Sequence, residues 1–230
     1  RWTLYSLNIS TIWQFISEGK RTTAWNCLVG SAYYFFWISA CLRIFGARFT
    51  IGFVLYPFFE NVILLACINW SWHAFVDPNN PENEFVQSIT ILHGPINVLN
   101  EDAHVVHHQY PGAHWTQHPT LMRKHTPEYT SGLGSIFVGT HAFEMFALVV
   151  SASYDKLAER FLGQMPPEAT SAALGPNDPA LRVTREKAMS DLAARGIGCK
   201  MPQAEVEELL RSRLQACWWG PRVDAVKKAS

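Results

Sequence analysis

Residues 100 to 115, "NEDAHVVHHQYPGAHW", hold four of the nine histidines in this 230-residue chain. Three of them, His104, His107 and His108, follow an H-x-x-H-H pattern. Positions i, i+3 and i+4 share one face of a helix, with Cβ atoms about 5–6 Å apart. Imidazole is a borderline donor that suits iron, zinc, copper and nickel. Three imidazoles on one face can therefore be shared between two metal ions. Glu101 stands one turn before His104, and Asp102 is beside it. Either carboxylate could hold a ring N–H, setting tautomer and ring angle from behind the metal. A second piece precedes this one. "NWSWH" places Asn69 and His73 at i, i+4, at the end of an apolar stretch. Donors from two separate elements can thus converge.

The same histidines could instead form a solvated surface or a pH-sensing cluster. Their setting favours metal. No Lys or Arg occurs from Phe49 to Met122, whereas Glu60, Asp77, Glu82, Glu84, Glu101 and Asp102 all lie there. A nucleic-acid surface needs clustered Lys and Arg, so nucleic acid is excluded as a partner. The five cysteines are widely spaced with no C-x-x-C pair, which argues against a disulfide framework or a thiolate zinc site. His114 and His118 follow Pro111-Gly112, off the helix face, and are expected in loop roles or behind the ligands. His93 and His125 read as structural. His141 shares a helix face with Glu144 and is a further candidate for a place behind the ligands.

The elements that must position these residues are mostly apolar. Thr22 to Leu42 runs without a charge, and Phe49 to Val76 is broken only by Glu60. About 20 such residues, at 1.5 Å each, reach the roughly 30 Å thickness of a bilayer core. The pair is expected to form a transmembrane helical hairpin, with "RIFGARF" as the link. Trp25, Tyr56, Trp70 and Trp72 suit interfacial anchoring. Pro57 should kink the second helix, and Glu60 should face protein or water. "DPNNPENE" reads as a loop. Phe85 to Leu99 is expected as a short or broken helix, Glu101 to Gln109 as the histidine-bearing helix, and Ser135 to Arg160 as another helix. Phe161 to Pro179 reads as linker; Leu181 to Ala194 and Gln203 to Cys217 read as amphipathic soluble helices. Charge follows the same division: 16 of the 38 charged residues lie in positions 1 to 150 and 22 in the last 80. The expected fold is all-α. An interfacial segment (1–21) leads into a membrane and metal-binding region (22–150), in which the transmembrane hairpin is followed by a histidine-bearing helical cap. A soluble helical tail (151–230) completes it.

At these residues the chain resembles the membrane-bound fatty acid desaturase family. The family's third histidine box, H-x-x-H-H or Q-x-x-H-H followed by an aromatic and Pro, matches "HVVHHQYP". The Asn-x-x-x-His that some members carry at the end of the fourth transmembrane helix matches Asn69 and His73. The resemblance implies that His73, His104, His107 and His108 are iron ligands and that Asn69 reaches a metal through water. It further implies O2-dependent insertion of a double bond into a fatty acyl chain. A membrane lipid or fatty acyl compound would be the substrate, and cytochrome b5 or a ferredoxin the electron donor. The membrane would be that of the endoplasmic reticulum first, a plastid second. The family's first two histidine boxes have no counterpart, because no histidine precedes His73. The chain, which begins at Arg1, is therefore expected to be the C-terminal half of a desaturase. The rest of a two-iron site would lie upstream, and this segment alone would be inactive. A related lipid hydroxylase shares the ligands. A non-catalytic membrane protein with half a metal site and a soluble histidine-rich metal binder are the readings of other classes.

Overall fold

The computed structural model describes residues 9–97, 99–125, 127–128, 132–163, 184–194 and 198–219. The chain divides into two compact units, Arg1–Asn69 and Trp70–Ser230.

In the N-terminal unit, helix α1 (Ile9–Ser17) is followed by α2 (Arg21–Thr50), a π-helical turn (Ile51–Leu55) and the start of α3 (Tyr56–Trp72). The backbone leaves helical geometry inside α2 at Gly46 alone, with φ 79° and ψ 170°. That region of backbone space is open essentially to glycine. Tyr34 and Phe58 have ring centroids 5.6 Å apart. On one continuous helix, residues that far apart in sequence would be separated by about 36 Å. The chain therefore doubles back at Gly46, midway between them. The link expected over residues 43–49 is helical except at this one residue. Pro57 lacks an N–H and its ring would meet the carbonyl four residues earlier. The turn before it is wider: the Tyr56 N–H bonds to Ile51 O, five residues back. Such π turns are one of the identifiable causes of helix bending. Apolar side chains cover the outside of this unit: Trp25, Tyr33, Phe35, Phe36, Ile44 and Phe53 are all exposed, as is Glu60.

The C-terminal unit holds a small parallel sheet that the all-α expectation lacks. Strand β1 (Thr90–Leu92) pairs with β2 (Ile136–Val138). Both fall where helices were expected, within 85–99 and 135–160. "TIL" and "IFV" are mostly β-branched or aromatic runs buried at every position. A strand buried on both faces shows no alternation, so periodicity alone cannot distinguish it from a buried helix. The expected helix at 85–99 shrinks to α4 (Glu84–Gln87), which Asn83 caps through the Phe85 N–H. That at 135–160 becomes β2, α7 (Ala142–Val150) and α8 (Tyr154–Ala158). Between the strands lie α5 (His104–Gln109), a 3₁₀ turn (Trp115–Gln117) and α6 (His118–Lys124). Helix α5 starts three residues later than expected. Ile91 N–H bonds to Asp102 O at 2.8 Å, and Thr90 bridges Ala103; the strand edge thus ties 102–103 outside the helix.

Leu92, Val105, Val106, Met122, Ile136, Val138, Leu162, Ala188 and Leu192 form one buried cluster. Residues beyond 151 share this core: Leu162 N–H bonds to Ile136 O at 2.8 Å, and α9 (Arg185–Ala194) buries Ala188 and Leu192. Helix α10 (Gln203–Trp219) buries Val206, Leu210 and Leu214. Most of the linker expected over 161–179 lies outside the described residues.

Gly46→Ala forces a side chain into a conformation that costs about 1–3 kcal/mol. We expect a lower unfolding temperature for the detergent-solubilised protein, read by circular dichroism, with the C-terminal histidine cluster unaffected in its metal titration.

Candidate metal centre

Helix α5 divides its six residues between two tasks. Val105 and Val106 are fully buried in the core. That orientation turns His104, His107 and His108 to the opposite side, as the i, i+3, i+4 spacing requires. His73 arrives from far away in sequence. It lies in the turn that closes α3, its N–H bonded to Trp70 O at 3.2 Å.

Three ring nitrogens meet. His73 Nε2 is 3.1 Å from His104 Nε2 and 3.0 Å from His108 Nε2, and the latter two are 3.2 Å apart. Hydrogen bonds at the opposite ring edges set the tautomers. His73 Nδ1 lies 3.1 Å from the Gln87 carbonyl oxygen. A carbonyl only accepts, so Nδ1 carries the proton and Nε2 presents a bare lone pair. His104 Nδ1 lies 3.3 Å from Glu101 Oε2, with the same consequence. Two lone pairs thus face each other across 3.1 Å. His108 can place at most one N–H among them, so a cation is what satisfies the set. Metal–nitrogen bonds of about 2.0–2.1 Å, at angles between about 90° and 109°, put ligand nitrogens about 2.9–3.4 Å apart. The observed triangle falls inside that range, and His73, His104 and His108 form a group able to hold a metal ion.

The electrostatics favour the neutral form of two donors. Burial, then the neighbouring His104 and His108, push His73 down to about 4 from an ordinary 6.5. Burial and the facing histidines also lower His108. The hydrogen bond to His104 holds Glu101 below the usual carboxylate value, so it stays charged behind the ring. Trp72, 5 % exposed, stacks on His104 with centroids 5.0 Å apart. It is buried rather than interfacial, because its indole covers the face of a site residue. Trp70 likewise lies edge-on to Phe146.

The other candidates are placed differently. His107 stands outside the nitrogen triangle, its ring 5.7 Å from that of His104 and 6.0 Å from that of His118. Asn69 is on α3, one turn before His73, at the end of the N-terminal unit. Asp102 does not hold a histidine N–H. Its side chain lies against Gly94, where a Cβ would sit 2.7 Å from Oδ2, and Oδ2 is buried without a partner. Burial, then Glu101, push this carboxyl up to about 8, so it is neutral at pH 7. His141 caps α7, its Nδ1 accepting the Glu144 N–H at 3.4 Å. Glu144 is taken by Thr140 at 2.9 Å and Arg160 at 2.7 Å. His125 accepts or donates with Tyr110 Oη at 2.9 Å, and exposed His114 bonds Thr116 at 2.9 Å. Sequence reasoning missed the Gln87 carbonyl, which carries no side-chain signal, and the stacking role of Trp72. It also missed Cys217, whose thiol donates to His73 O at 3.5 Å.

Residues 3–139 match the family profile described as fatty acid desaturase. No curated protein and no solved structure gives a match. The chain belongs to the fatty acid desaturase family, a family of oxidoreductases associated with membranes and with iron.

Two predictions follow from the geometry. Glu101→Gln removes the charged acceptor behind His104. It should weaken Co(II) binding to the purified chain by about 10–100-fold, read from the ligand-field absorption. The second concerns metal-free protein. Between about pH 6.5 and 4 the unfolded chain holds the proton that folded His73 refuses, so this histidine lowers stability as pH falls. Asp102 acts oppositely: between about pH 4 and 8 the folded state holds the extra proton, so stability falls as pH rises. Asp102→Asn should therefore raise the unfolding temperature by an amount that grows from about pH 5 to about pH 8. A gain independent of pH would contradict the assignment.

Proposed function

We propose that this chain is part of an O2-dependent fatty acyl desaturase that inserts a double bond into an acyl chain, with its histidines holding the iron that the reaction uses. The observation that carries this reading is the triangle of three ring nitrogens at 3.0–3.2 Å, two of them with tautomers set for metal, in a chain of this family. His73, His104 and His108 would hold one iron. His107 would contribute to a second, and Asn69 would reach a metal through water. Bound iron supplies the redox chemistry with O2 that an unactivated methylene requires. The protein's own residues orient and shield: Gln87 and Glu101 fix two imidazole rings, and Trp72 keeps water from one face of His104. Electrons come from a separate small donor such as cytochrome b5 or a ferredoxin.

The membrane part of the proposal rests on the N-terminal unit. Among the described residues, Arg21–Trp72 is long and apolar enough to cross a membrane, and almost none of its most apolar window is buried. Reversal at Gly46 leaves two arms of about 37 Å each, each sufficient for a hydrocarbon core of about 30 Å. The pair is a transmembrane hairpin. Tyr33, Phe35 and Phe36 face lipid, and the acyl chain reaches the iron from the bilayer, of the endoplasmic reticulum or a plastid.

The test has two arms. In the purified protein, His73→Ala should remove the tightly held equivalent of Fe(II), read as metal content after gel filtration, while leaving the helical content unchanged; an undiminished iron content would sink the metal assignment. In cells expressing the complete gene product, lipid mass spectrometry should find an acyl product two hydrogens lighter, lost in His107→Ala. A product one oxygen heavier identifies the related hydroxylase. No product with iron bound leaves a non-catalytic metal protein. Release by carbonate washing without detergent would contradict the hairpin.

A further inference from the structure

His118 is 1 % exposed, and its Nε2 is buried without a hydrogen-bond partner. Its Nδ1 lies 3.4 Å from the carbonyl oxygen of Asn100. As with His73 on Gln87, a carbonyl partner places the proton on Nδ1 and leaves Nε2 as a bare lone pair on the other side of the ring. A buried acceptor with no donor has lost its water and gained nothing in return, so such an atom calls for an explanation. The surrounding backbone is built to hold this arrangement. Leu99 and Asn100 both adopt left-handed φ, 53° and 55°, an uncommon conformation for residues other than glycine. Asn100 Nδ2 donates to Trp115 O at 3.1 Å, tying the turn that presents the carbonyl to the segment that leads into α6. Met122, one turn after His118, is fully buried in the core and keeps this face of α6 inward.

The ring meets His107, the member of H-x-x-H-H that the nitrogen triangle leaves out, at a centroid distance of 6.0 Å. A metal–nitrogen bond of about 2.1 Å, plus about 1.1 Å to the ring centre, allows two imidazoles on one ion centroids up to about 6.4 Å apart. By the same measure the trio, at 4.6–4.9 Å, has the closer spacing of bond angles near about 90–100°. Spacing alone does not single out His107 and His118. The orphaned, pre-oriented Nε2 does.

We propose that His118 is a metal ligand and forms with His107 a two-imidazole arm for a divalent transition-metal ion, separate from the ion held by His73, His104 and His108. The inference builds on the reading of the trio as a metal group, and the two fail in different ways. The full chain, purified in detergent and stripped of metal, is titrated with Co(II) and followed by ligand-field absorption and bound-metal content. The wild type should show a tight step and a weaker second step. His118→Asn should abolish the second step and leave the first within about twofold, the intact first step reporting a folded protein. His107→Asn should do the same. His73→Ala should remove the first step; if it does not, the trio assignment fails. A single step in the wild type, or a second step that survives in His118→Asn, overturns the role given to His118. Should that variant not fold, nitrogen NMR of the wild type decides. Zn(II) added beyond the first equivalent should move the His118 Nε2 resonance to a metal-bound shift, and an unmoved resonance overturns the proposal.

Discussion

Two hydrogen bonds at the back of two rings govern the rest of this structure. His73 Nδ1 on the Gln87 carbonyl and His104 Nδ1 on Glu101 fix both tautomers, so two lone pairs point at each other across 3.1 Å. Like-charged edges at that separation repel, and nothing in neutral imidazole chemistry removes the repulsion for all three nitrogens at once. A cation among the three nitrogens would relieve that repulsion, in keeping with a group able to hold a metal ion. Burial reinforces this by holding His73 neutral down to about pH 4. At His73 the proton is thus a poor competitor for that lone pair.

Positioning of that contact runs through the small sheet. Strand β1 holds Asp102 and Ala103 against its edge, and His104 follows immediately. The two valines of α5 anchor the helix in the core while its histidines lie on the opposite side, His104 buried beneath Trp72. On the other side, the chain after His73 is held by α10: Val76 N–H bonds to Arg213 O at 3.1 Å, and the Cys217 thiol to His73 O at 3.5 Å. The C-terminal region therefore contributes to the same unit that carries the metal group rather than standing apart as an appendage. Buried Arg160 with Glu144 and Thr140 braces the joint between β2 and α7, which explains why the His141–Glu144 pairing seen in the chain serves the helix start instead of the metal.

Part of this was legible before folding. The H-x-x-H-H face, the Asn69–His73 spacing, the long apolar stretches and a reversal near Gly46 all depend on neighbours within a turn or on composition. The strands were not legible, because "TIL" and "IFV" are too short to show a period and are buried on both sides. Of two adjacent carboxylates, only Glu101 reaches His104; Asp102 is turned inward by its pairing with β1. His118 looked peripheral because Pro111 and Gly112 break the helix before it. The returning α6 then buries it 6.0 Å from His107.

By itself, then, the sequence determined which donors could share a helix face and which segments were apolar enough to lie together, since both follow from the 3.6-residue repeat and from side-chain chemistry. Only the tertiary structure decided which donors meet. His73 and His104 are 31 positions apart in the chain, and their tautomers are set by a backbone carbonyl and one carboxylate. Contacts of that kind have no local period to announce them; they exist only once strand pairing and the buried valines have brought the two segments together.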